Sequence, residues 1–332
     1  MFTFKTKKQP KIALCFIISY EHVLYKEELW REWIEPNKDI INVYFFYKDL
    51  KKIKSPWVYK HAIPEKNICY TSYFHVIPAY IAILNFALKN DKTNKWFCYL
   101  TDSCCPIISP SKFRALFEQY QNQSIMAHSK AHWNVEFHKR ANLSSLPKEL
   151  HLANDPWFVL TRENTIDVMN FVVNEHQMCN LICNGGLANE SLFAIILTHC
   201  KKIQNVISKT THMADWFRMS SPTSPHLFKD GSEEDIQFIE NFLEKNDFTM
   251  FIRKVHPKFP DEILRKYIRD DKWRTIATTA TIVTTAKPVA NPSTLDSHSD
   301  IIITCIQNVF IGILFGLFFI AIILTPPSIT AG

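Results

Sequence analysis

KWFCYLTDSCCPIISPSKFRALFEQY, residues 95–120, holds a strand, a sharp turn and a helix start in one run. KWFCYLT (95–101) is a short apolar block of strand length, bounded by the turn-forming pair Asp102-Ser103. PSKFRALFEQY (110–120) begins at a proline, which suits the first position of a helix. Strand followed by helix is the unit from which α/β sheets are built.

The same alternation extends in both directions. KIALCFIIS (11–19) reads as a buried strand, followed by a helix carrying YKEELWREWI (25–34). DIINVYFFY (39–47) reads as a second strand, and VIPAYIAILNFALK (76–89) as a helix. WFVLT (157–161) reads as a strand feeding the helix RENTIDVMNFVV (162–173). The pattern predicts an α/β fold with a mostly parallel sheet covered by helices. In such sheets ligands bind at the carboxyl ends of the strands.

The chain has 332 residues, 47% of them hydrophobic, enough for one substantial domain or two small ones. Its net charge of +6 is modest and spread out, which does not argue for nucleic acid. Basic residues are dense at Lys5, Lys7, Lys8 and Lys11, and again from Arg265 to Arg274. A solvated surface is their first reading and attraction to anionic lipid their second. Most of the nine cysteines sit in apolar segments, which suits buried free thiols. Cys179 and Cys183 lack the second pair that a zinc site needs. No signal peptide is read at the N-terminus, because IALCFIIS is short and leads into charged sequence.

IIITCIQNVFIGILFGLFFIAIILT, residues 301–325, is long enough to cross a bilayer as a helix. With seven residues after it, it reads as a C-terminal anchor that leaves the preceding domain in the cytosol. Gly312 and Gly316 form a GxxxG spacing that a homodimer could use. Residues 275–299 are rich in Thr, Ala, Pro and Ser and read as a flexible stalk.

Dinucleotide, P-loop, nucleophile-elbow and HExxH patterns are missing from the sequence. No Asp-x-Asp stands at a strand end to hold a divalent metal, and Asp102 stands alone in its turn. NGGLANESLFAIILTHC (184–200) places one acid, Glu190, ahead of an apolar run. The simple reading is a helix capped by Asn189, with Glu190 in its first turn favouring the helix dipole. Leu192, Phe193, Ile195, Ile196 and Cys200 would form its core-facing stripe.

Taken in order, these segments resemble the core-2/I-branching glycosyltransferases and a related plant domain, over about residues 10–258. The matching stretches are Thr101–Pro106 after the third strand, Asp155–Arg162, and Asn189-Glu190 before an apolar helix. Met213–Trp216, Ser224–Phe228 and Phe251–Val255 follow. The resemblance implies a GT-A-like domain over 10–274, preceded by a basic tail (1–9). The stalk (275–300), the membrane helix (301–325) and a short tail (326–332) would follow. It implies an inverting transferase that uses a UDP-sugar, without cofactor or divalent metal, on a glycan or glycoprotein acceptor.

The resemblance also assigns candidate residues. Glu190 matches the general base, which takes the proton of the acceptor hydroxyl as it attacks. Lys254 matches the lysine that neutralises the leaving diphosphate, with Arg253 beside it. Asp102 and Ser103 fall where nucleotide should lie. Lys139, Arg140, Trp157, Asp215 and Trp216 are the candidates for acceptor and sugar contacts. The sequence departs from the family pattern in three ways. Asn189 replaces an Asp, a second upstream basic residue is missing with Lys229 the nearest substitute, and the anchor is C-terminal. The sequons at Asn122, Asn142 and Asn189 matter only if the domain is lumenal, a placement left open. The rival expectation is an inactive member that acts as a membrane-tethered glycan-binding or scaffold protein.

Overall fold

The computed structural model describes residues 8–18, 23–72, 74–221 and 223–269. The stalk, the apolar segment 301–325 and Gly312/Gly316 lie outside the described residues. Among the described residues no helix is long and apolar enough to cross a membrane.

The first half runs β1 (Lys11–Ile17), α1 (Glu27–Ile34), β2 (Ile41–Phe46), α2 (Pro56–His61), α3 (Ile77–Asn90), β3 (Asn94–Thr101), β4 (Cys105–Pro106) and α4 (Pro110–Tyr120). The second half runs β5 (His128–Lys130), β6 (Leu152–Asn154), β7 (Val159–Thr161), α5 (Arg162–Asn174), α6 (His176–Cys183), α7 (Leu192–His199), β8 (His212–Met213), α8 (Glu233–Lys245), β9 (Phe251–Ile252) and α9 (Asp261–Arg269). The chain is therefore mixed α/β, as its alternation predicts.

The main sheet has the order β2-β1-β3-β7. β1 pairs in parallel with β2 and with β3, so its apolar residues are covered on both faces. Ala13 and Cys15 face a core built with α3, α5 and α7. Ile12, Leu14 and Phe16 face a second core built with α1, α4, α8 and α9. One sheet thus serves two apolar layers, and the period-2 alternation of a single strand supplies both.

β7 departs from expectation, because it pairs antiparallel to β3, Phe97 opposite Leu160. A short apolar run buried on both sides reads the same in either direction, so its pattern carries no polarity. The strand also begins at Val159 rather than Trp157. The Trp157 carbonyl instead accepts from Thr211 Oγ1 at 3.2 Å, outside the sheet.

A small sheet of order β4-β9-β8 sits at the end of β3. β4 and β9 run antiparallel, while β8 and β9 run parallel. This sheet brings residues near 105, 213 and 252 together from distant parts of the chain. The basic residues of α9 are largely ion-paired within the fold: Arg265 and Arg269 both bond Glu32.

Candidate functional site

The first half of the site forms where β3 ends. Pairing of β4 with β9 sets Cys105 opposite Ile252, and Val255 N–H donates to the Ser103 carbonyl at 2.9 Å. The turn Asp102-Ser103 is thereby laid against Arg253-Lys254, the residues that leave β9. The Arg253 N–H donates to the Met213 carbonyl at 2.9 Å. Lys254 Nζ donates to Ser224 Oγ at 3.2 Å. Burial pushes the Lys254 ammonium below the usual lysine range and Arg253 pushes it further, against the opposing pull of Asp102.

Arg253 is itself buried, and its guanidinium carbon lies 3.5 Å from the Trp157 ring centroid. That is a close cation–π stack. Behind it His212 is buried, with Nδ1 2.9 Å from Thr211 Oγ1. Burial, then Arg253, drives the His212 imidazole well below its ordinary value, so it is neutral at physiological pH.

The second half forms around Glu190. Gly185 crosses the backbone of the basic segment so closely that a Cβ there would sit 2.4 Å from the Asn142 nitrogen. The Ala141 N–H donates to the Gly186 carbonyl at 3.0 Å. This crossing straps residues 139–142 onto 184–186. Its cost is visible in three non-glycine residues with left-handed backbone: Ala141 (φ 51), Asn142 (φ 49) and Leu187 (φ 56). Asn142 Nδ2 bonded to the Leu181 carbonyl at 2.7 Å, and Leu187 N–H to the Phe74 carbonyl at 3.0 Å, hold them there. The strap delivers Arg140 to Glu190, and the two side chains form an ion pair. The Arg140 guanidinium also stacks over Trp133, 4.2 Å from the ring centroid.

The helix reading of Glu190 needs correction. Residues Ala188–Glu190 form a separate 3-10 turn, and α7 begins at Leu192. Asn189 is not the helix cap. Ser191 stands at that position and makes no side-chain capping bond. The cap comes from another strand: Asn154 Oδ1 accepts from Ala194 N–H at 3.1 Å, while Asn154 Nδ2 donates to the Asn189 carbonyl at 2.9 Å. The expected stripe on α7 is also wider than predicted, since Leu192 through Leu197 are all fully buried.

Tyr80 lies on the Trp157 side of the site. Its hydroxyl donates to the Pro156 carbonyl at 2.9 Å, next to Trp157. Burial pushes its phenol up, while Arg253 and a hydrogen bond with the Asn189 side chain act against that.

The predicted residues therefore divide into groups. Asp102, Ser103, Trp157, Arg253 and Lys254 come together at the end of β3. Arg140 and Glu190 come together on the strap, where Lys139 is exposed. Asp215 and Trp216 lie on the loop after β8, beside the segment that holds Lys254, and the Asp215 carbonyl accepts from His226 N–H at 2.8 Å. The Asp215 carboxylate is buried and engaged by Phe217 N–H, Arg218 N–H and Arg218 Nε at 2.9, 3.1 and 2.6 Å. Trp216 is half exposed beside Phe217, which is 96% exposed. Lys229 is exposed. Ser224, Asn154, Tyr80 and Trp133 escaped the sequence reading as site residues. The first three act through partners 30 or more residues away, and Trp133 through Arg140, seven residues on in an irregular segment where no spacing marks it. Among the described residues, no group of three or more His, Cys, Asp or Glu could hold a metal ion. Cys179 and Cys183 are free thiols with sulfurs 3.9 Å apart.

The family model described as Core-2/I-Branching enzyme matches residues 39–240, more than half of the chain. The chain belongs to this family. It is therefore a member of a glycosyltransferase family, whose chemistry needs an activated sugar donor and a glycan acceptor. No curated protein matches the chain. The matched stretch of this core-2/I-branching chain includes Asp102, Arg140, Trp157 and Glu190. Arg253 and Lys254 lie beyond it, and the β4–β9 pairing carries them to Asp102 and Ser103.

Proposed function

We propose that the chain is a GT-A-like, inverting glycosyltransferase that takes its sugar from a UDP-sugar and needs no metal. The observation that carries this reading is the placement of one carboxylate, Glu190, on a constrained turn. A cationic pair, Arg253-Lys254, meets the end of β3.

In this reading Glu190 takes the proton from an acceptor hydroxyl as its oxygen attacks the anomeric carbon. UDP departs from the opposite face, and the configuration inverts. Arg140, paired with the carboxylate, aims it. Lys254 and Arg253 supply fixed positive charge to the departing diphosphate. Trp157 stacks on Arg253 and holds it in place without neutralising it. Lys139 contacts the acceptor from the strap. The domain is tethered by residues 301–325, on the cytosolic side of the membrane, and Gly312/Gly316 mediate any homodimer.

The test is UDP release by the full chain from UDP-N-acetylglucosamine, UDP-xylose and UDP-glucuronic acid in excess EDTA. Release that persists in EDTA supports the metal-free reading, and loss of release on chelation overturns it.

One observation favours a second reading. The Glu190 carboxylate is already engaged by Arg140. A protein that never exchanges that partner for an acceptor hydroxyl would be a non-catalytic, membrane-tethered glycan-binding or scaffold protein. Such a chain would bind UDP or glycan and release no UDP from any donor.

A further inference from the structure

We infer that Asn154, at the end of β6, is the positioning residue that sets the direction of Glu190. The inference rests on Glu190 acting as the base.

The hydrogen-bond partners of Asn154 fix its amide orientation. The Ala194 N–H is a donor, so it must face Oδ1. The carbonyls of Asn189 and Asp155 are acceptors, each 2.9 Å away, so both must face Nδ2. The side chain is buried, and one oxygen and one nitrogen satisfy three backbone groups at once.

The bond to the Asn189 carbonyl matters most. That oxygen belongs to the peptide unit joining Asn189 to Glu190. The nitrogen of the same unit donates to the Leu187 carbonyl at 3.0 Å. A peptide unit is planar. Holding its oxygen from β6 and its nitrogen from the turn leaves the plane no freedom to rock, and the Glu190 Cα leaves from that plane. The same amide bonds α7 at Ala194, so turn and helix are referenced to one strand end. The chain leaves β6 through Asp155 and Pro156 and reaches Trp157, three residues on, which carries Arg253 on its ring. Asn154 thus registers the base against the cationic side of the site.

Asn154→Asp separates this role from general support. A carboxylate still accepts from Ala194 N–H, and its charge at a helix N-terminus is favourable. It can no longer donate to the Asn189 carbonyl. The experiment compares the full chain with Asn154→Asp and Glu190→Gln, using whichever of UDP-N-acetylglucosamine, UDP-xylose and UDP-glucuronic acid is turned over. Amide hydrogen exchange is followed in parallel. The expected result for Asn154→Asp is a kcat lower by about ten- to a hundredfold, with donor KM within about twofold. The Glu190 and Ser191 amides should exchange at least about tenfold faster while Ala194 stays protected. If Asn154→Asp does not fold, Asn154→Ser is read by the same criteria. A kcat within twofold of the unaltered chain overturns the inference even if exchange rises. Turnover retained by Glu190→Gln overturns the base reading instead, and absence of turnover by the unaltered chain defeats both.

Discussion

Arg140 closes an ion pair on Glu190 while its guanidinium lies 4.2 Å from the Trp133 ring centroid. One cation is thus held by a ring on one side and a carboxylate on the other. Burial lowers the Arg140 guanidinium from its ordinary value, although arginine stays charged at any working pH. Arg140→Met keeps most of the side-chain bulk against Trp133 and removes the charge. If Arg140 aims the base, kcat for UDP release should fall by about ten- to a hundredfold with little change in Tm. If Arg140 instead blocks Glu190, kcat should rise.

Gly185 is where the strap has no room. A Cβ would lie 2.4 Å from one backbone nitrogen and 2.7 Å from another, and backbone cannot swing aside as a side-chain tip can. Gly185→Ala should destabilise the chain by about 2–3 kcal/mol, read as a lower denaturant midpoint. Because the strap also delivers Arg140, activity should fall further than the unfolded fraction explains. Gly186→Ala is the control: its nearest neighbour is a Phe74 side-chain atom at 3.7 Å, ordinary contact distance, and the effect should be small.

Lys254 gives a pH dependence with a defined sign. Its folded pKa is lowered from 10.5, chiefly by burial, so the unfolded chain binds more protons in that window. Stability should therefore rise with pH between the lowered folded value and 10.5, as the folded lysine gives up its proton first; the contribution is complete above 10.5 and is lost as pH falls through the folded value. Diphosphate needs the charged ammonium, so UDP affinity should run the opposite way and decline on the alkaline side below the usual lysine range. Titration calorimetry with UDP across that range checks the binding sign, and denaturant unfolding across the same range checks the stability sign. Lys254→Ala should weaken UDP binding about ten- to a hundredfold and flatten the alkaline decline.

Asp215 gives the acid counterpart. Burial raises its carboxyl, but Arg218 and two backbone N–H groups outweigh that and hold it below 3.8. Its contribution to stability is complete above 3.8 and is lost as pH falls through the lowered folded value. Asp215→Asn leaves Arg218 facing Asp235 and Glu234 alone. We expect a cost of about 1–2 kcal/mol in thermal unfolding, because Arg218 keeps two carboxylate partners and an asparagine oxygen still accepts from the two backbone N–H groups.

The fold was legible wherever burial follows a local period. β1, β2, β3, α3 and α4 fall within a residue or two of their predicted bounds, and Pro110 marks a helix start as predicted. The direction of β7 was not legible, because apolar content carries no polarity. The short runs Asp102-Ser103 and Arg253-Lys254 were legible as candidates, and the β4–β9 pairing explains why they meet. The support of Glu190 was hidden. Asn189 looks like a cap by type and position, yet its carbonyl accepts from Asn154, 35 residues upstream. Local propensity cannot show that a strand end caps a helix from outside. The partner of Asp215 was hidden too: the sequence offers an acid beside a tryptophan, and only the fold shows Arg218, three residues on, paired with the carboxylate.

The central claim is that Glu190 is the base of a metal-free sugar transfer. Its most direct test is UDP release from UDP-N-acetylglucosamine, UDP-xylose and UDP-glucuronic acid by the full chain in excess EDTA, beside Glu190→Gln. The claim predicts release by the unaltered chain and a loss of about a hundredfold or more in the variant, with UDP affinity retained. Equal release by the two proteins, or no release from a folded chain that binds UDP, would contradict it.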